Sequence, residues 1–411
     1  MHLLLIASSA PPKNSPEAMQ VGRFLEALDP AVRVTLVTTP VERGWVREDG
    51  SLAVSRAGIR VIRAGLPWHA PSQRVLGNRR LARLHRPDAL FWLPALSGWV
   101  ARQLPEVPDV VYSRSGSFSD ALLARRLKRA LGRPWLMHLS DPWSGSPYRR
   151  FRSDRAAEAD RALEAACFAE ADAITLTTEG QAAYYRARYP ARADRISVTP
   201  NMMPLHPETP PAERRPGPVR LVYTGAFYGE RSPSTLLRAV EILGQEAPET
   251  LERLEVHVYG NAPPEVAAAI SATPRCTHHG PVTHDVARRV QADADVLMSI
   301  EPDGAHPLLP HFLLSKIVDY LSTGKPILAL TPEGSETERL CRITGGWAVT
   351  PGDVPGLSKK LAMIAAAPGK ARTETVAPPG FLGKYSPEVV SGAIEGVLQD
   401  VLEGARAAAT Q

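Results

Sequence analysis

A chain of 411 residues exceeds what one core comfortably serves, so two or three domains are expected. Its 44% hydrophobic and 22% charged residues exclude a disordered or fibrous chain. Three scattered cysteines, Cys167, Cys276 and Cys341, exclude a disulfide framework or a zinc spacing and fit a reducing cytosol, while the formal charge of +5 suits anionic partners.

His2 to Ala7 reads as a buried strand rather than a signal peptide, because its apolar run is short and lacks a basic flank. A loop from Ser8 to Pro16, a helix Glu17 to Leu28 and a strand Val32 to Thr38 complete a Rossmann-like opening. It lacks the Gly-x-Gly-x-x-Gly fingerprint, so no dinucleotide is indicated. Gly58 to Ala64 reads as a third strand. Residues 74–104 mix arginines with Phe91, Trp92 and Trp99, as interfacial helices do; the alternative is an insert packing its aromatics inward. Strands follow at Asp109 to Ser113, Pro134 to Leu139, Ala173 to Thr177 and Ile196 to Thr199, separated by helices at Asp120 to Leu131, Asp154 to Ala169 and Gln181 to Tyr189. Pro204 to Pro218 holds six prolines in fifteen residues and reads as a stiff linker.

The alternation then restarts. Strands are expected at Val219 to Thr224, Leu254 to Tyr259, around Thr277, at Val296 to Ile300 and at Trp347 to Val349, with helices at Ser234 to Leu243, Pro264 to Thr273, Asp285 to Ala292 and Val354 to Ala366. Between the last two of these strands, residues 311–330 read as a helix with Ser315 at its N-cap, a turn at Gly324 and a strand Ile327 to Leu330. Such a strand–helix–strand unit aims the helix N-terminus beyond the carboxyl end of the preceding strand, where open parallel sheets bind ligands. The first-turn amides and the ammonium of Lys316 would make an anion seat, and Asp319 could accept from sugar hydroxyls. Tyr385 to Ala409 reads as a last helix beyond what the second sheet needs.

Two stretches carry a family resemblance. Tyr223-Thr-Gly-Ala-Phe-Tyr-Gly-Glu-Arg-Ser-Pro233 and Leu314-Ser-Lys-Ile-Val-Asp-Tyr-Leu-Ser-Thr-Gly-Lys-Pro326 resemble the donor-domain turn and the SK-x-x-E-Y-x-x-x-G-K-P motif of family 4 glycosyltransferases, with Asp319 where glutamate is usual. Leu139-Ser-Asp-Pro-Trp143 and Thr199-Pro-Asn201 resemble looser signatures of the same group. The resemblance implies an α/β chain of GT-B architecture, two facing Rossmann-like domains with a C-terminal helix crossing back to the first. The corresponding division is 1–203 for an acceptor domain, 204–218 for the linker, 219–380 for a nucleotide-sugar donor domain and 381–411 for the returning helix. It also implies a metal-free, usually retaining transfer, with no cofactor. Gly225, Arg231, Leu314, Ser315, Lys316 and Asp319 would bind the donor. Counting back from Asp319 places His311 where the family's first glutamate would touch the transferred sugar.

Breaking a sugar–diphosphate bond requires cations or helix amides at the leaving phosphate, the role given to Arg231 and Lys316. Their alternatives are a solvated loop arginine and a surface lysine. On the acceptor side His138 and Asp141 end a buried strand, where a carboxylate could position a hydroxyl. Otherwise His138 is a satisfied core histidine and Asp141 caps the turn at Pro142. Asp293-Ala-Asp295 has the form of a metal motif, but its place between a helix and a strand favours capping, and the spacing of His306 and His311 does not suit a metal. The expected partners are a nucleotide sugar and a carbohydrate, lipid-linked or small-molecule acceptor, in the cytoplasm or at the inner membrane face through 74–104. No nucleic-acid module is present. A non-catalytic sugar-nucleotide-binding subunit and an epimerase on the same fold stay open; a phosphorylase lacks any signal for its pyridoxal lysine.

Overall fold

The computed structural model describes residues 1–40, 47–65, 87–205, 217–302, 306–367, 377 and 380–410. The chain divides into two compact units, Met1–Met202 with Pro387–Gln411, and Met203–Ser386.

The first unit has seven strands: β1 His2–Ile6, β2 Arg33–Thr38, β3 Ile59–Arg63, β4 Val110–Ser115, β5 Trp135–Leu139, β6 Ala173–Leu176 and β7 Ile196–Val198. All pairings are parallel, in the order β3-β2-β1-β4-β5-β6-β7. Helices α1 Pro16–Ala27, α2 Phe118–Leu131, α3 Asp154–Glu170 and α4 Glu179–Arg188 cover it. The central strands β1 and β5, covered on both faces, are buried along their whole length and read as largely apolar runs. In β1, Leu3 and Leu5 join the cluster with Phe24 of α1, while Leu4 and Ile6 join the opposite cluster with Leu123 and Leu127 of α2. Ser15 caps α1 by accepting from the Ala18 amide at 3.2 Å, with Pro16 as the first helical residue. The order of strands reverses between β1 and β4, so the carboxyl ends of these two frame the ligand crevice expected of such sheets.

The second unit repeats the plan with β8 Val219–Thr224, β9 Leu254–Tyr259, β10 Cys276–Gly280, β11 Val296–Ile300, β12 Ile327–Leu330 and β13 Trp347–Val349. The order is β10-β9-β8-β11-β12-β13, again parallel, with the reversal between β8 and β11. Its longer helices are α5 Ser234–Glu246, α6 Pro264–Ala272, α7 His284–Ala292, α8 Ser315–Ser322, α9 Glu336–Ile343 and α10 Val354–Ala366. Two apolar layers sandwich the sheet: Leu221, Met298 and Leu328 face α5 and α10, whereas Val222, Leu297 and Ala329 face α8 and α9.

A final helix, α11 Pro387–Thr410, belongs to the first unit. Val390, Ile394, Leu398 and Val401, spaced by one helical turn, are buried against Phe24 and Val21 of α1. Burial of each such side chain stabilises by about 1.5–3 kcal/mol, enough to fix the helix there.

Several boundaries differ from the sequence reading. β4 runs two residues further than expected and takes Arg114 into the sheet, because Glu17 neutralises its buried guanidinium. Ser315 is the first residue of α8 and not its cap; Leu314 holds the cap position in extended conformation and makes no side-chain capping bond. Helix α9 was not anticipated. The greater part of the proline-rich 204–218 stretch, residues 206–216, lies outside the described residues, as do residues 74–86 of the basic aromatic segment. In the remainder of that segment Leu90, Trp92, Leu96 and Trp99 pack against the first unit's core, the arrangement expected of an inward-packed insert. Among the described residues no helix is long and apolar enough to cross a membrane.

Candidate active site

In the second unit the polar groups gather at the carboxyl ends of β8 and β11. Gly225 leaves β8 with φ of +150° and Gly260 leaves β9 with φ of +141°, a region L side chains rarely adopt. The two backbones touch: a Cβ on Gly260 would lie 1.9 Å from the Gly225 carbonyl oxygen, and one on Gly225 would lie 2.5 Å from the Lys316 Nζ. Glycine at 260 therefore lets the turn close, and glycine at 225 leaves room for the lysine. Gly260→Ala should destabilise the second unit by about 3 kcal/mol, read as a lower urea midpoint in unfolding of the whole chain; an unchanged midpoint would contradict this packing.

Lys316, in the first turn of α8, places its Nζ 4.1 Å over the ring of Tyr223. The Nζ is buried and, among the described residues, has no hydrogen-bond acceptor. Arg231, on the loop after β8, also reaches Tyr223 and hydrogen-bonds its hydroxyl. The same guanidinium lies 5.0 Å over the exposed Tyr228 ring, and its Nη1 donates to the Ala226 carbonyl at 3.4 Å. Two cations thus converge on one tyrosine. Glu301, the residue that ends β11, faces them from a buried position and accepts from Thr331 Oγ1 at 2.6 Å and Thr337 Oγ1 at 2.5 Å.

Burial, followed by the charge of Arg231, lowers the Lys316 ammonium well below its usual value of 10.5, with Glu301 opposing. Burial raises the Glu301 carboxyl, against the hydrogen bonds from its two threonines. Both shifts run toward neutrality, so neither charge is fully balanced by protein neighbours. The incompletely balanced Lys316 cation, though not the Glu301 carboxylate, suits an anion delivered from solution. Tyr320 ties α8 to the same strand end, its hydroxyl meeting the Thr224 amide and Oγ1, each at 3.1 Å; Gln291 of α7 donates to that Oγ1 at 2.7 Å.

Of the sequence-derived donor residues, Gly225, Arg231 and Lys316 are brought together. Ser315 and Leu314 open the helix beside them, and Asp319, nearly buried, follows Lys316 by three residues on the same helix flank. His311 sits in the short turn Leu309–His311 ahead of α8, its amide on the Leu308 carbonyl. The carboxylate that faces the cations comes from Glu301, which sequence counting missed. Its signal was a lone acid closing the apolar strand Val296–Ile300.

In the first unit Asp141 follows β5 and is exposed, whereas His138 within β5 is 1% exposed. The His138 Nδ1 meets Thr175 Oγ1 at 2.9 Å, and burial, aided by Arg114, holds the ring well below its ordinary value and so neutral. Protein packs closely round Asp141 despite its open side, and that crowding, with the charge of Glu17, lifts its carboxyl to about 6. Glu17 itself, on the first turn of α1, accepts from Arg114 Nε at 2.7 Å and from Ser140 Oγ at 2.5 Å. Neither Glu17 nor Arg114 was singled out from sequence. Asp295 accepts the Arg220 amide at 2.9 Å at the start of β11, as a capping residue does. Among the described residues no group of three or more His, Cys, Asp or Glu side chains is arranged to hold a metal ion.

Comparison with known proteins adds to this geometry. Residues 18–202 match the glycosyl transferase 4-like domain. No curated protein matches the sequence. Among solved structures the chain is similar to Anabaena HepE in complex with UDP-glucose, at 14% identity over 99% of this chain and 100% of that one, with a TM-score of 0.62. It is similar to a mutant of S. aureus TarM in complex with fondaparinux, alpha-GlcNAc-glycerol and UDP, at 9% identity, 98% and 99% coverage and a TM-score of 0.62. A putative UDP-N-acetylglucosamine 2-epimerase from Listeria monocytogenes is similar at 13% identity, 98% and 97% coverage and a TM-score of 0.59. At such identities the likeness establishes the fold. Residues 18–202 thus carry a glycosyl transferase 4-like domain, and the two parallel Rossmann-like sheets of the chain have the GT-B fold of these solved structures.

Proposed function

We propose that the protein transfers a sugar from a nucleoside diphosphate sugar to an acceptor hydroxyl, without a metal and with retention at the anomeric carbon, in polysaccharide, glycolipid or secondary-metabolite synthesis. The observation that carries this reading is the convergence of Arg231 and Lys316 on Tyr223 beside the Gly225 turn. The binding of UDP-glucose by HepE supports a donor of this class. In the reaction the acceptor oxygen bonds to the anomeric carbon as the bond from that carbon to the diphosphate oxygen breaks. The electron pair leaves with the diphosphate, which also takes the acceptor's proton. Arg231 and Lys316 stabilise the charge building on that oxygen. Asp319 takes the ribose hydroxyls, Ser315 and Leu314 present the first helical amides, and His311 faces the sugar. Ionised Asp141 accepts from the acceptor hydroxyl and steadies positive charge on the sugar ring, with His138 as a neutral neighbour.

Thermal-shift measurements with UDP-, GDP- and dTDP-sugars test the donor half. One nucleotide class should raise the Tm and the others leave it unchanged. Slow hydrolysis of that donor without acceptor, and transfer with one, would exclude a non-catalytic subunit. Inversion of the free sugar nucleotide with no acceptor requirement would instead favour the epimerase reading. No shift with any nucleotide would remove the donor assignment.

A further inference from the structure

The mechanism leaves one buried ion pair unused. Arg114 and Glu17 join β4 to α1 with side chains 3% and 10% exposed, at the carboxyl ends of the strands that frame the first unit's crevice. An ion pair this sheltered is costly to desolvate, and replacing it with apolar groups is often neutral or stabilising, so its presence asks for a role beyond stability. Its surroundings supply one. The free oxygen of Glu17 accepts from Ser140 Oγ, and the Ser140 carbonyl accepts from Thr177 Oγ1 at 3.1 Å. The residue before Asp141 is therefore clamped from both sides. Beyond Asp141 the chain is clamped again, where the Trp143 amide donates to Tyr185 Oη at 2.7 Å and the Ser144 amide donates to Glu164 Oε2 at 2.6 Å. Gly116 packs under Glu17, an added Cβ there lying 3.1 Å from its Cγ, so the carboxylate has a fitted seat.

We infer that Glu17 is a positioning residue for Asp141: held by the Arg114 guanidinium, it grips Ser140 and presents a fixed negative charge to the Asp141 carboxylate. This rests on the proposed role of Asp141 in meeting the acceptor. Among the described residues the charge acting on Asp141 is that of Glu17 from α1. Arg114 from β4 is joined to Glu17, His138 on β5 stays neutral, and Glu164 behind the loop is paired with Arg188 at 3.0 Å. After crowding by the protein, Glu17 is thus what keeps the Asp141 proton bound to a higher pH than an ordinary aspartate. A fixed negative charge beside a carboxyl favours its neutral form, so Asp141 holds its proton more firmly for having Glu17 next to it.

The test uses the full chain and two readouts. Carbon-13 NMR of aspartate carboxyls, with Asp141 assigned by its loss in Asp141→Asn, follows the carboxyl directly and needs no turnover. Its midpoint, near 6 in the parent protein, should fall by about one pH unit in Glu17→Gln. The acidic limb of kcat should move by the same amount. Ser140→Ala should lower kcat about tenfold through lost orientation while leaving both midpoints in place. Should Glu17→Gln fail to fold with its arginine left buried, Glu17→Gln with Arg114→Met removes the pair as a unit and should show the same fall. An Asp141 midpoint unmoved in the folded Glu17 variant overturns the inference, as does parent-like kcat in Ser140→Ala. A midpoint that moves in a protein with no transfer to any acceptor would uphold the Glu17–Asp141 coupling and count against the transferase reading instead.

Discussion

Lys316→Ala combined with Arg231→Ala should weaken nucleoside diphosphate binding by about 10²–10⁴-fold. Hydrogen bonds to charged groups contribute about 1.5–3 kcal/mol each, and the two cations that meet at Tyr223 are the charged donors nearest the Gly225 turn. Calorimetric titration with the nucleoside diphosphate that stabilises the parent protein measures the loss. The same variant should keep or raise its Tm in the absence of nucleotide, because Lys316 holds its ammonium in a buried place where no described residue accepts from it. Affinity falling while stability holds separates a binding role from a structural one. A nucleotide Kd within threefold of the parent would remove the diphosphate site from this unit. The pH dependence has a definite sign. Burial and Arg231 lower the Lys316 ammonium below 10.5, whereas a bound diphosphate favours the charged form. Binding therefore takes up a proton, and affinity decreases as pH rises above the value at which free Lys316 loses its charge.

Asp141→Asn should lower kcat for transfer by about 10²–10⁴-fold with the donor Kd unchanged. The carboxyl, raised to about 6, is mainly ionised at neutral pH and protonates below that value, so parent kcat should fall as pH drops through about 6. Asparagine keeps the size of the side chain but supplies no negative charge for the acceptor hydroxyl or the sugar ring. Its profile should therefore lose that acidic limb. Steady-state kinetics from pH 5 to 8 and a donor titration decide the matter. A parallel loss of donor affinity would assign Asp141 to holding the Pro142 turn.

Legibility followed the range over which each feature is determined. Most strands of both sheets announced themselves as short apolar runs, and β13 matches its expected bounds at Trp347–Val349. The unit β11–α8–β12 was readable because Gly324, with φ of +66°, and Pro326 stop the helix within a few residues. Lys316 and Arg231 were readable as cations at helix or loop starts, since that placement is local. Arg114 was not. An arginine followed by Ser-Gly looks like the end of a strand, and what buries it is Glu17, 97 residues earlier in the chain. Glu301 hid for the same reason, as its hydroxyl donors lie 30 and 36 residues away. Helix α9 was legible after the fact: Ser335 caps it by accepting from the Glu338 amide at 3.0 Å, the first half of a capping box. Eight residues with only a narrow apolar stripe gave too little periodicity to find it.

Placement of α11 with the first unit governs how the polypeptide assembles during synthesis. The second unit, Met203–Ser386, is an insertion whose two ends meet, the Met203 amide donating to the Tyr385 carbonyl at 2.8 Å. It is contiguous, and every residue it needs has been translated before α11 begins. The first unit is discontinuous: its opening 202 residues wait with the apolar flank of α1 uncovered until Val390, Ile394 and Leu398 leave the ribosome. The part translated first is thus completed last, and premature termination anywhere before Pro387 leaves an adhesive surface on a nascent chain.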